Sequence, residues 1–205
     1  IEGVDGAGKR TLTDGLRTAF ESQQTSVATV AFPRYKRSIT ADLAAEALHG
    51  SHGDLANSVH AMAVLFALDR RAAAPALLAA LAEHDVVLVD RYVASNAAYG
   101  AARLHEDAAG AFVPWVHALE IERFGIPLPD HQLYLAVPLE VAAARAAHRE
   151  RTETDRVRDA YESDDGLQEG TGAVYAQLAA MGWLSPWTVL DGAPDEQALA
   201  ARIVR

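Results

Sequence analysis

Gly3-Val4-Asp5-Gly6-Ala7-Gly8-Lys9 is the stretch from which the rest of this sequence can be read. A backbone that turns its amides inward around an anion must pass through positive φ, which residues without Cβ reach freely. Gly3, Gly6 and Gly8 supply that freedom. A helix expected from Lys9 onward adds the positive end of its dipole. The Lys9 ammonium then reaches the β and γ phosphates of a nucleoside triphosphate. The phosphate-binding segment is therefore expected to comprise Gly3, Val4, Asp5, Gly6, Ala7, Gly8, Lys9, Arg10 and Thr11. One position departs from the usual pattern. The residue after the lysine is ordinarily Ser or Thr, whose hydroxyl ligates Mg²⁺. Here it is Arg10, with Thr11 next. Either Thr11 substitutes, or the metal leans on carboxylates.

Outward from this loop, short β-branched apolar runs alternate with long helical stretches. Residues 26–31, 85–90, 132–137 and 187–190 read as strands, and Ile1-Glu2 as the end of a first strand that begins ahead of this numbering. The run at 85–90 is nearly continuous in apolar residues, the pattern of a strand buried on both faces. Helices are expected over 9–21, 57–83, 93–103, 114–124, 139–149, 156–181 and 195–204. Pro75 is expected to kink or restart the second of these. This alternation predicts an α/β fold with a parallel sheet. No internal repeat or low-complexity linker divides the chain, so residues 1–205 read as one domain. Residues 152–159 form a charged excursion without apolar periodicity.

Composition narrows the possibilities further. Half of the 205 residues are hydrophobic, enough for a sizeable core. The net charge of −10 argues against nucleic acid as a partner, while leaving room for a local basic pocket. No cysteine is present, which excludes disulfides, thiolate metal sites and a Cys nucleophile. No apolar run suits a membrane span and no signal peptide is visible, so a cytoplasmic location is expected. The eight histidines show no metal-ligand spacing.

Several further groups carry chemistry. Asp90-Arg91-Tyr92 ends the strongest strand, and ligands of open parallel sheets bind beyond the carboxyl ends of strands. Asp90 is then able to hold Mg²⁺ or its waters, and Arg91 to meet a phosphate with a planar donor fork. A surface turn with a routine ion pair is the plainer alternative. Phe32-Pro33-Arg34-Tyr35 follows the second strand and suits a second phosphate; a plain loop is the plainer reading. Phe66 and Arg70 share a helix face, fit for stacking on a base and bonding its edge; a core Phe beside a surface Arg is the plainer reading. Arg145, Arg149, Arg151, Arg156 and Arg158 gather in and around the charged excursion, where they can close over a triphosphate and neutralise transition-state charge; a solvated helix end is the plainer alternative, since Glu150, Glu153 and Asp155 are interleaved. Asp159, Tyr161 and Glu162 follow, with carboxylates able to approach a metal or a substrate hydroxyl.

Taken in order, these motifs resemble the thymidylate kinase family, and its actinobacterial members most closely. The resemblance runs through Glu2 to Thr11 (EGVDGAGKRT), FPRY at 32–35, FALDR at 66–70, DRYVASNAAY at 90–99 and RDAYE at 158–162. It implies the P-loop nucleoside monophosphate kinase fold: a five-stranded parallel sheet surrounded by helices, with an Arg-rich lid over about 145–157. It also implies transfer of the γ-phosphoryl group of MgATP to dTMP, and a homodimer packed through helices. By this resemblance Asp5 lies between donor and acceptor phosphates and helps position Mg²⁺, alongside Asp90 and Glu162. Arg91, Arg34 and Tyr35 hold the dTMP phosphate. Phe66 stacks on thymine, Arg70 bonds its O4 edge and Asn96 reaches the base. Tyr99 fills the space beneath the sugar C2′, against a ribose hydroxyl. Phe32, Ser95, Asp159 and Tyr161 complete the expected substrate site. Some members carry a catalytic arginine directly after the equivalent of Asp5. Here that residue is Gly6, so the duty is expected to fall to the lid, at Arg149 or Arg145. Asn96-Ala97 and Gly100 also depart from the family's Thr-Gln and Gln. Two alternatives stay open: another P-loop nucleotide or deoxynucleoside kinase, and a degenerate nucleotide-binding module.

Overall fold

The computed structural model describes residues 1–152, 160–161 and 164–203, the last four of the first stretch by backbone alone. The phosphate-loop stretch opens the chain and leads into α1 (Lys9–Ser22). Leu12, Leu16, Ala19 and Phe20 recur at helical spacing and form the buried stripe of α1. Then come β1 (Val27–Ala31), α2 (Ile39–Leu48), α3 (Val59–Glu83) and β2 (Val86–Asp90). The second half holds α4 (Val93–Arg103), α5 (Phe112–His117), a π-helical turn (Ala118–Arg123), β3 (Gln132–Leu135), α6 (Leu139–Thr152), α7 (Asp165–Met181), β4 (Trp187–Leu190) and α8 (Glu196–Ile203).

The strands form two parallel pairs, β1 with β2 and β3 with β4. Between them lies Ile1-Glu2. The Ile1 nitrogen donates to Val89 O at 2.7 Å, and Ile1 O accepts Arg91 N at 3.0 Å. On the other side Glu2 N donates to Leu133 O at 2.7 Å, and Leu135 N to Glu2 O at 2.9 Å. Glu2 and Tyr134 make an isolated parallel bridge. The α/β class is as expected; the five-stranded sheet stands here as two pairs with this short segment bonded to each. Along its length β3 is buried, whereas in β2 only Leu88 is fully buried. The sequence pattern pointed to β2 because its run of valines is longer, but burial follows position, not run length.

Four differences concern helices. The α3 helix runs through Pro75 without restarting. Proline there removes one main-chain bond, a loss outweighed by the packing of the helix on α2 and α4. The α2 helix has no counterpart in the sequence reading. Its buried face is Ala41, Ala44, Ala47 and Leu48, mostly alanine, which gives little polarity contrast. The helix expected at 114–124 divides into α5 and the π-helical turn. The α7 helix begins at Asp165, not at 156, because the Asp164 carboxylate caps it, accepting Leu167 N at 2.9 Å. Of the expected lid, 145–152 belongs to α6, and the remainder lies outside the described residues.

The main core forms around α4, whose Val93, Ala94, Ala97, Ala98 and Ala101 have no exposed surface. Small side chains let α3, α5 and α7 approach closely. Gly100 marks the tightest approach: a Cβ there would fall 2.0 Å from Phe112 Cε1. No helix among the described residues is long and apolar enough to cross a membrane.

Because Phe112 is itself buried, Gly100→Ala is expected to lower stability by about 1–3 kcal/mol through overpacking. Urea unfolding checks this: the midpoint should fall with an unchanged slope, and an unchanged midpoint would show that α5 yields freely.

Candidate active site

A cavity of about 470 Å³ opens beyond the carboxyl ends of β1 and β2, walled by α3 and α4. The phosphate loop borders one end. At Gly6, φ is 81°, and a Cβ would come 2.0 Å from the Ala142 carbonyl oxygen of α6. Only glycine satisfies both the turn and this approach. The same closeness brings Arg145 onto the loop, its Nη1 donating to Ala7 O at 3.2 Å.

Asp5 is the centre of the loop's polar contacts. Its Oδ1 accepts Arg91 Nη2 in a short ion pair. Its Oδ2 accepts the Tyr99 hydroxyl at 2.6 Å and Gln168 Nε2 at 3.3 Å, and its backbone N donates to Gln168 Oε1 at 3.1 Å. Burial pushes this carboxyl up, but Arg91, Lys9 and the bonds from Tyr99 and Gln168 outweigh it and hold it well below the usual carboxylate range. Asp5 is therefore ionised throughout the neutral range. Burial pushes the Tyr99 phenol far up, which keeps it a neutral donor. Lys9 is almost buried, with Nζ donating to Gly3 O at 3.0 Å and Val4 O at 2.9 Å. Burial and the Arg91 charge bring its pKa down to about 8, against the opposing pull of Asp5, Asp90 and Glu2.

Arg91 has a left-handed backbone, with φ 60°. A non-glycine residue there is held by its surroundings at a cost of about 1–3 kcal/mol. The holding group is Glu2, only 1% exposed. Its carboxylate accepts Tyr92 N at 2.8 Å, the Ser95 hydroxyl at 2.7 Å and the Tyr175 hydroxyl at 2.9 Å. Glu2 thereby ties the first segment to α4 and α7.

At the far end of the cavity stand Phe66, Arg70 and Asn96. Arg70 is clamped by Glu120 of the π-helical turn, Nε to Oε2 at 2.5 Å and Nη2 to Oε1 at 2.7 Å. Arg103 of α4 lies against the Tyr161 ring, 4.7 Å from its centroid, and donates to the Tyr161 hydroxyl and to Ala56 O. Tyr161 in turn stacks on Tyr99, centroids 6.3 Å apart.

A two-ended cavity with a phosphate loop at one end and an arginine beside a phenyl ring at the other invites comparison with known kinases. The sequence model of thymidylate kinase matches residues 1–185. The chain belongs to the thymidylate kinase family. It is 56% identical to the thymidylate kinase of Mycobacterium tuberculosis over 203 residues, covering 99% of this chain and 95% of that one. It is 31% identical to that of Akkermansia muciniphila, across 99% of this chain and 87% of the relative. It is 30% identical to that of Bifidobacterium longum, across 99% and 93%.

Most of the expected site residues meet at this cavity. Asp5, Arg10, Asp90, Arg91 and Tyr161 line its loop side, and Phe32, Tyr35, Phe66, Arg70, Ser95, Asn96 and Tyr99 the rest. Gly3, Val4, Gly6, Ala7, Gly8 and Lys9 form the loop itself, and Thr11 is exposed on α1. Arg34 does not line the cavity. Asp69, fully buried, draws it away, accepting its backbone N and its Nε, each at 2.8 Å. Asp159, Glu162 and the Arg149 side chain lie outside the described residues.

Sequence reasoning missed Asp69, Gln168 and Glu120, missed Arg103, and took Glu2 only as a strand end. A signal existed for Arg103, four residues past Tyr99 on the same face, and for Asp69, an acid inside an apolar helix. Gln168 and Glu120 had none.

The donor set for Mg²⁺ can be tested on one buried atom. Asp90 Oδ1 has no hydrogen-bond partner, whereas both Asp5 oxygens are engaged. No cluster of three or more acidic or histidine ligands exists among the described residues. That fits an ion that keeps several waters and leans on one or two carboxylates and on phosphate oxygens.

Replacing Glu2 by Leu removes the shared acceptor of three buried donors. Stability should fall by at least about 2 kcal/mol, since the Ser95 and Tyr175 hydroxyls, 2.8 Å apart, can still bond each other and each of the two donors then stranded costs about 1–3 kcal/mol. Denaturant titration measures this, and a loss under about 1 kcal/mol would mean that the donors find other partners.

Proposed function

We propose that this chain phosphorylates dTMP to dTDP with MgATP, by in-line transfer of the γ-phosphoryl group. One observation carries the reading beyond family membership: the cavity joins the phosphate loop, through the Asp5–Arg91–Tyr99 cluster, to a base-sized end walled by Phe66, Arg70 and Asn96. The protein contributes position and charge, with little covalent chemistry.

Lys9 and the loop amides hold the donor phosphates. Arg91, aimed by Asp5, holds the acceptor phosphate at the junction. Tyr35 supports it, and Arg34 joins only by turning from Asp69. Phe66 stacks on the thymine ring, while Arg70 and Asn96 read its edge. Tyr99, beneath Arg91, occupies the space a ribose 2′-hydroxyl would need. Ser95 fastens Arg91 to Glu2. Asp90, with Asp5 and Glu162, would hold Mg²⁺, which when bound neutralises charge on the β and γ oxygens. Arg145 already rests on the loop, and with Arg149 one turn further along α6 it supplies the positive charge that Gly6 cannot.

The five-stranded sheet belongs to the same reading. The bonds of Ile1-Glu2 to β2 and β3 support an order in which this segment is the middle strand. One kinase domain, a homodimer and a cytoplasmic setting follow from the family resemblance, and light scattering of the purified chain would test the dimer.

An ADP-release assay over all nucleoside monophosphates and nucleosides tests the reaction. Turnover is expected with dTMP above every other acceptor. Turnover with nucleosides alone would replace this reading by a nucleoside kinase, and nucleotide binding without turnover by a binding module.

Lys9 gives a second test. Its pKa of about 8 is depressed by burial. A triphosphate stabilises the ammonium and raises that pKa, so the bound form holds more protons than the free form above pH 8. ATP binding should therefore take up protons at pH 8.5, and ATP affinity should fall as pH rises through 8. Calorimetry in two buffers of different ionisation enthalpy reads the uptake. Lys9→Arg, charged at every accessible pH, should abolish it; uptake that persists would belong to another group.

A further inference from the structure

Behind the base end of the cavity, bonded to its wall residues Arg70 and Asn96, lies a carboxylate that the proposed reaction does not use. Glu120 has no exposed surface and sits in the π-helical turn, a local form frequent at functional sites. Besides clamping Arg70, its Oε1 accepts Asn96 Nδ2 at 2.7 Å. Asn96 Nδ2 also donates to Ala63 O at 3.0 Å.

These bonds decide which atoms are left for a ligand. The Asn96 amide nitrogen has two hydrogens, and a carboxylate and a carbonyl take both. Two acceptors around one atom require nitrogen at that position, so the orientation of the amide is fixed by its partners. Its Oδ1 remains, an acceptor. Arg70 commits Nε–H and one Nη2 hydrogen to Glu120, leaving the two Nη1 hydrogens and the second on Nη2. Both residues line the cavity. A donor and an acceptor thus stand together on one wall. Their complement is a ring edge with a carbonyl beside an N–H, the imide edge of thymine or uracil. Cytosine offers the reverse, an amino donor beside a ring-nitrogen acceptor.

We propose that Glu120 is a positioning residue that makes this subsite selective for an imide edge, by aiming Arg70 and fixing the Asn96 amide. The inference rests on the reading of the cavity as a pyrimidine nucleotide site. A glutamine at this position cannot accept from all three N–H groups. Whichever way its amide lies, its NH₂ faces a donor, and either Asn96 or Arg70 must reorient.

Binding of dTMP, dUMP and dCMP is measured by calorimetry on the wild-type chain and on Glu120→Gln. The wild type is expected to bind dTMP and dUMP in preference to dCMP. In the variant the preference of dTMP over dCMP should fall roughly tenfold or more, the size of one good edge-reading pair. A merely structural role would weaken all three nucleotides alike, and an unchanged preference overturns the inference. The effect should also be less than additive with Asn96→Ala, since part of it passes through that amide; full additivity overturns it too. If Glu120→Gln does not fold, Glu120→Asp keeps the charge but is too short to hold both partners. The same fall in preference is expected there, and an intact preference in the folded variant is again fatal. Binding needs no turnover, so the two readings separate. A chain that lost its preference for dTMP on Glu120→Gln but released no ADP would sink the proposed reaction and support this inference. One that turned over dTMP yet bound dCMP equally well would do the reverse.

Discussion

The pairing of Asp5 with Arg91 is the contact on which the site depends. A buried ion pair is a poor source of net stability, because desolvating two charges offsets much of their attraction. What it provides is geometry. Asp5 lies in the phosphate loop and Arg91 follows β2, so the pair fastens the loop to the carboxyl end of that strand. Arg91 reaches Asp5 from a left-handed backbone, which the Ile1 carbonyl and the Glu2-bound Tyr92 amide hold in place. The first two residues therefore set where the arginine points.

The same device recurs around the cavity. Arg70 is held by Glu120, and Arg34 by Asp69, each carboxylate fully buried. Where the fixed arginine lines the cavity, as Arg91 and Arg70 do, it meets a ligand without reorganising, the condition under which fixed charges and dipoles are most effective in catalysis, whereas Asp69 holds Arg34 off the cavity. It also reconciles a net charge of −10 with two anionic ligands. The carboxylates that make the chain acidic include those that aim its cations, and Lys9, Arg145 and Arg10 add positive charge along the loop side.

The legibility of the sequence follows from distance along the chain. The phosphate loop, its helix and the strand after which Asp90 and Arg91 emerge are local patterns, and each was readable. So was Phe66 with Arg70, because helical spacing alone puts them on one face, while Ser95, Asn96 and Tyr99 were read only through the family resemblance. The carboxylates that orient them were not. Glu120 lies 50 residues from Arg70, and Gln168 163 residues from Asp5. Nothing near Glu120 in sequence distinguishes it from a solvated helix acid; only the fold makes it a partner. The α2 helix escaped for a related reason, since alanine carries its buried face and alanine marks no side.

Gly6 ties these levels together. Its missing side chain first reads as freedom for a turn around phosphate. In the fold it is equally a matter of space, since the Ala142 carbonyl occupies the place where a Cβ would go. An arginine at position 6 and α6 in its present position exclude each other. The α6 helix that takes up the space sets Arg145 against Ala7. The absence of one side chain in the loop and the presence of an arginine on the neighbouring helix are thus two consequences of a single close approach.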